Sequence, residues 1–196
     1  MERHSQTDDT AKSRDVLEGQ IRECYGRIVY SHKTQEKCAD ILLARLDHLK
    51  LAQIVLAALS TAGFVGVLFG SAKIAAVIGM ILSAALLALN AYMKDYDLGA
   101  LAQKHRQAAA NLWLIREQYL ALLVDIAMKE RPLENLQEQR DRLLKDLHAI
   151  YSGAPSTNFE AYQKAQKGLQ QLEDMTFSDA EIDAFLPKEL KRSRSA

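Results

Sequence analysis

The 196-residue chain has no Asp, Glu, Lys or Arg from Leu51 to Ala72, and none again from Ile74 to Met93. These gaps of 22 and 20 residues are separated only by Lys73, in a chain that is otherwise 26% charged. An apolar helix of about 20 residues reaches across a ~30 Å hydrocarbon core, so each run is expected to span a membrane, at about 51–70 and 74–93. A buried hairpin in a soluble core is the alternative. It would need a large protein around it, and the other 154 residues are amphipathic or charged. A secretory signal is not expected, because the first run begins only at Leu51 and a second follows at once.

Other absences narrow the chemistry. Proline occurs three times and nowhere before Pro132, so nothing breaks a helix through the first two thirds of the chain. Cysteine occurs twice, at Cys24 and Cys38, two heptads apart on one helix face. That is a core spacing, neither a disulfide framework nor a metal-ligand pattern. No P-loop, CxxC, HExxH or GxSxG motif is present, and the five histidines are scattered. The expectation is a protein that is not an enzyme, with no cofactor and no metal. Net charge is zero and no basic patch is interleaved with aromatics, which gives no argument for nucleic acid. No strand-like alternation or internal repeat occurs, so the expected fold is all-α.

What is present is a pair of heptad seams. Leu17, Ile21, Cys24, Ile28, Ser31, Gln35, Cys38, Leu42, Arg45 and Leu49 alternate steps of four and three up to the first run. Leu98, Leu101, His105, Ala108, Leu112, Ile115, Tyr119, Leu122 and Ile126 do the same after the second. A short loop makes the spans antiparallel, so the two seams are expected to pair as a stalk continuing the membrane hairpin. Cys38 and His105 fall at similar distances from the membrane, as a polar layer that fixes register. Residues 1–11 read as a disordered lead-in, 12–190 as one domain, and 191–196 as a loose tail. Pro132 is expected to end or kink the helix after the second seam. Beyond it, Leu133, Leu136, Leu143, Leu147 and Ile150 share a face. Thr157 with Glu160, and Ser178 with Glu181, read as capping boxes of two further helices, the first carrying Phe159, Tyr162, Leu169 and Leu172.

Orientation follows from basic residues beside the spans. Lys33, Lys37, Arg45 and Lys50 precede the first and Lys94, Lys104 and Arg106 follow the second, against Lys73 alone in the loop. The positive-inside rule therefore puts both termini in the cytoplasm. Within the spans, Ala58, Ala62, Gly66 and Gly70 repeat every four residues, as do Ala75, Gly79 and Ser83. Such small-residue ladders let helix backbones approach closely in lipid, within the hairpin or between subunits. Gln53 and Asn90 lie at similar depth near the cytoplasmic face. Each amide needs a partner, supplied within the hairpin, between subunits, or by water in a pore.

The stretch Ile21-Arg22-Glu23-Cys24-Tyr25-Gly26-Arg27, then Tyr30-Ser31-His32-Lys33-Thr34-Gln35-Glu36-Lys37-Cys38-Ala39, resembles the opening helix of the SLATT proteins, the SMODS- and SLOG-associating two-transmembrane effector domains of bacterial conflict systems. The hairpin, the long helix after it and the ending from Phe177 to Pro187 are similar too. The resemblance implies an anti-phage effector in the inner membrane. It further implies a homo-oligomer that forms a pore or disrupts the membrane when a separate sensor protein triggers it. That partner would be part of a nucleotide second-messenger or a reverse transcriptase system. The alternative is a non-conducting scaffold whose stalk recruits a cytosolic partner.

Overall fold

The computed structural model describes residues 2–68, 72–172, 175 and 177–187, and their side chains except those of 2–9, 64–68 and 72. Among these residues there are six helices and no strand: α1 (Glu2–Leu68), α2 (Ala72–Asp95), α3 (Leu98–Met128), α4 (Leu133–Gly153), α5 (Phe159–Gln171) and α6 (Asp179–Phe185). α1 is the spine. Its 67 residues rise ~100 Å at 1.5 Å each, with no proline to interrupt the hydrogen-bond ladder. It starts at Glu2, within the stretch read as a lead-in. Extending an existing helix costs little per residue, and polar composition alone does not stop it.

α2 and α3 run antiparallel to α1 in one continuous register. Gly63 lies against Gly79, Gln53 bonds Asn90, Leu46 touches Gly99, and Gln35 bonds His105. Lower still, Leu17, Ile21, Cys24 and Ile28 join Leu112, Ile115, Tyr119, Leu122 and Ile126 in the core. The two heptad seams thus pair, as their periodicity requires. α4 turns back and runs parallel to α1. Hydrogen bonds Arg140 to Gln20, Tyr151 to Ser31 and Gln35 to Pro155 O all keep the same 120-residue offset. Its apolar face delivers Leu136 and Leu143 to the core, with Leu133, Leu147 and Ile150 packed beside them. Each such buried Leu or Ile contributes about 1.5–3 kcal/mol relative to exposure, so the lower stalk is the stable part of the fold.

Several local expectations are corrected. The second seam is not continuous with α2: the helix breaks at Tyr96, and Asp97 caps α3 by accepting from the Ala100 N–H at 2.8 Å. Within α3 the seam keeps Leu98 and every expected residue from His105 to Ile126, but at one position Ala102 is buried and Leu101 is 38% exposed. Ala102 and Ala39 are both buried at the same level, between the Leu46–Gly99 and Gln35–His105 contacts. Small side chains there bring the backbones close, where Leu101 would hold them apart. Leu42 is half-buried, while Arg45 is exposed because an α-helix drifts against a strict heptad.

Pro132 does not end α3. Lys129 does, in the left-handed conformation (φ 59°), and Pro132 instead precedes the first turn of α4. α5 is capped by Asn158 rather than by Thr157, and Glu160 pairs with Lys164 at 2.8 Å. The Ser178–Glu181 capping box forms as expected. α5 also turns a neighbouring face inward from the one read in the sequence: Ala161, Ala165 and Gly168 are buried with Leu169 partly covered, while Phe159 and Leu172 are exposed. Close approach to α1 admits only small residues there, and the aromatic Tyr162 stacks at the margin on Tyr30. The tail 191–196 lies outside the described residues.

Candidate functional site

The upper part of α1 and α2 forms a helix pair with an apolar outside. Ile54, Val55, Leu59, Ile74, Val77, Ile78, Met80, Ile81 and Leu87 are all about half or more exposed. The seam between the helices is made of Gln53, Leu56, Ser60 and Gly63 on α1 against Ala75, Gly79, Leu82, Leu86 and Leu89 on α2, all partly covered. A Cβ added at Gly63 would lie 3.7 Å from the Gly79 Cα, so the backbones cross in ordinary contact at that point. Leucine at 63 has no room.

The candidate packing residues therefore divide. Ala75 and Gly79 belong to the seam of the pair. Ala58 and Ala62 face outward, as does Ser83, and none of these closes the pair. The side chain position of Gly66 and the whole of Gly70 lie outside the described residues. Gly63 was missed by the four-residue ladder; its signal is the Leu56, Ser60, Gly63 spacing, which continues the stalk seam upward.

Polar groups in this region satisfy one another. Gln53 Nε2 donates to Asn90 Oδ1 at 2.9 Å across the pair. Ser60 and Thr61 hydroxyls donate to the carbonyls of Leu56 and Ala57, one turn back, at 2.8 and 2.9 Å. This internal satisfaction is what a hydrocarbon solvent demands, because an unbonded amide or hydroxyl there costs several kcal/mol. At the base of α2 the rings of Tyr92 and Tyr96 pair at 4.9 Å, the placement of aromatics at a membrane–water boundary. One stretch among the described residues, within Lys73–Met128, is long and apolar enough to cross a membrane, and none of that window is buried in the protein. The Leu51–Ala72 run lies partly outside the described residues.

Below this region a buried polar layer ties three elements together. His105 Nδ1 lies 2.5 Å from Gln35 Oε1, and Gln35 Nε2 donates to the Pro155 carbonyl at 3.1 Å. The amide oxygen can only accept, so Nδ1 carries the imidazole proton in this arrangement. Burial pushes the His105 pKa below its ordinary value. Cys38 is buried at the same level and faces the Asn158 backbone rather than His105; burial raises its thiol pKa.

The family model of the SMODS and SLOG-associating 2TM effector domain family 4 matches residues 17–181. The chain belongs to this SLATT family. The match opens at Leu17, the first buried residue of the stalk, and closes at Glu181, the reciprocal member of the α6 capping box. It therefore covers the stalk, the apolar helix pair and the α4–α6 return as one unit. No curated protein and no solved structure matches the chain. A SLATT domain is a two-transmembrane effector domain of conflict systems, which accounts for an apolar helix pair with no protein around it.

Proposed function

We propose that this SLATT chain is a bacterial anti-phage effector of the inner membrane. It oligomerises and opens a pore, or disrupts the bilayer, when a separate sensor protein triggers it. Both membrane runs cross the bilayer, and both termini are cytoplasmic. The observation that carries the reading is the outward ladder. With Gln53 and Asn90 bonded to each other and Gly63 against Gly79, Ala58 and Ala62 remain on the lipid-facing side, free for a second copy. Two helices cannot enclose a water-filled path, so conduction needs several copies around an axis. With no charged residue in either run, such a path would be weakly selective and gated by packing or dewetting.

The test separates the two faces. Ala58→Leu with Ala62→Leu should relieve growth arrest and preserve membrane potential while insertion and the fold are unchanged. Gly63→Leu should instead spread the helix pair and lower thermal stability. The measurements are membrane potential by a voltage-sensitive dye and ion flux in liposomes, with reporter fusions at Thr10 and after Pro187 to read topology. If triggered protein arrests growth with the potential intact and liposomes tight, the pore reading falls.

A non-conducting scaffold is favoured by one observation of its own. Phe159, Leu172, Phe177 and Phe185, spread along α5, α6 and the segment between them, are each more than 60% exposed, apolar side chains suited to recruiting a cytosolic protein.

A further inference from the structure

Beside the stalk, between α1 and α3, lies a cavity of about 620 Å³ that the functional reading does not use. Four cationic side chains line it, Lys33 and Lys37 from α1 and Arg106 and Arg116 from α3, together with Trp113 and His32. Among the described residues, Glu36 and Asp40 are the carboxylates on its wall, against these four cationic side chains. The internal ion pairs are mostly loose. Asp40 is 3.7 Å from Lys37 and 3.8 Å from Arg106, and Glu36 is 3.2 Å from Lys33 and 3.7 Å from His32. Arg116 is held more tightly, by Glu117 at 2.5 Å. A long, exposed pair such as Arg106 with Asp40 contributes about 0–1 kcal/mol, less than a phosphate gains from charge-assisted bonds to several cations.

Two further features point to a ligand. His32 is 7% exposed, and its Nδ1 has no hydrogen-bond partner, although buried polar atoms are nearly always satisfied. Trp113, the chain's one tryptophan, is half-exposed on the cavity wall and offers an indole face. Cations for phosphate beside an aromatic plane for a base is the combination that binds nucleotides. We propose that this cavity is a nucleotide site, with the phosphates held by Lys33, Lys37, Arg106 and Arg116 and the base stacked on Trp113.

A lipid headgroup offers the same phosphate chemistry, and distance argues against it. On the membrane reading proposed above, Asp40 is the lining residue of α1 nearest the bilayer, and it lies 11 residues before Leu51. Along one helix that is about 16 Å, whereas the headgroup layer is about 5–8 Å deep on each side. The site faces the cytosol. Burial, with Arg116 and Lys33 nearby, lowers the His32 pKa despite Glu36, so the neutral imidazole has a single N–H to place, at Nε2 towards Glu36 or at Nδ1.

Because Trp113 is the sole tryptophan, indole fluorescence reads this cavity alone. The full chain in phosphatidylcholine nanodiscs, titrated with ATP, GTP and cyclic di-GMP, should give a saturable change for at least one, with a Kd below ~1 mM. Lys37→Gln with Arg106→Gln should weaken that binding by about tenfold or more, and circular dichroism should show the helices intact. Inorganic pyrophosphate should bind more weakly. No saturable signal for any of the three nucleotides, by fluorescence or by calorimetry, overturns the proposal. So does pyrophosphate binding as tightly as the nucleotides, which makes it a bare phosphate site. A signal seen only when phosphatidylglycerol replaces the neutral lipid makes it a lipid site instead. None of these failures touches the pore reading, which is tested by depolarisation.

Discussion

Tyr119→Phe removes one oxygen from the middle of the stalk core and leaves the ring in place. Tyr119 is fully buried among Leu17–Ile28 of α1, the middle of α3 and the apolar face of α4. Its hydroxyl makes no hydrogen bond of normal geometry. The Cys24 thiol, a weak donor and acceptor, is the polar group nearest in influence. A buried hydroxyl left in that state costs about 1–3 kcal/mol, so phenylalanine should be neutral or stabilising, by up to ~2 kcal/mol. For a chain of this size about 1 kcal/mol is worth about 2–4 °C in Tm. Tyr119→Ala, which empties the same space, should cost about 3–5 kcal/mol.

The second readout is alkaline stability. Burial raises the Tyr119 pKa from 10.0 to about 12. Between those values the unfolded chain has released the proton and the folded one keeps it, so stability falls with rising pH, by about 1.4 kcal/mol per unit from this group. Thermal unfolding of the detergent-solubilised chain, followed by circular dichroism from pH 8 to 11, should show a steep alkaline loss in the parent. Tyr119→Phe should flatten it. A variant with lower Tm and an unchanged alkaline slope would refute the reasoning, because the hydroxyl would then be satisfied in the core.

The buried histidines predict acid sensitivity. His32 and His105 have pKa values below the ordinary 6.5, mainly through burial, so the unfolded chain takes up protons first; stability is full above about pH 6.5 and falls as pH drops below it. His105→Leu combined with Gln35→Leu should reduce that loss in an acid-range unfolding series, whereas Gln35→Leu alone should cost about 1–3 kcal/mol by stranding the imidazole. Asp97→Ala removes the cap of α3 and should lower stability by about 1 kcal/mol, read as faster amide exchange in the first turn of α3 and little change near Leu122.

How much could be read without coordinates differs by element. The all-helical class, the two apolar runs and the pairing of the seams were all legible. Each rests on a demand that solvent places on a whole segment, lipid for the uncharged runs and water for the heptad stripes. The α4 face and the Ser178–Glu181 box were legible for the same kind of reason, since their partners lie within a few residues. The finer site was less so. Both ladders were visible, but nothing local distinguished Ala62, on the outside, from Gly79, in the seam, and Gly63 stayed hidden.

Sequence by itself determined that this chain has two uncharged runs long enough to cross a bilayer, and a helical stalk built from two repeating apolar stripes. Tertiary structure decided everything that depends on what stands opposite. It bonded Gln53 to Asn90 within the pair, one of the three partners the residues alone had left open. It put Ala102 in the seam in place of Leu101, because close helix approach opposite Ala39 favours the smaller side chain. It gathered His32, Lys33 and Lys37 with Arg106, Trp113 and Arg116, more than 65 residues away in the chain, around one cavity. Periodicity is a property of one helix and its solvent, whereas phase, partner and cavity are properties of two helices brought together.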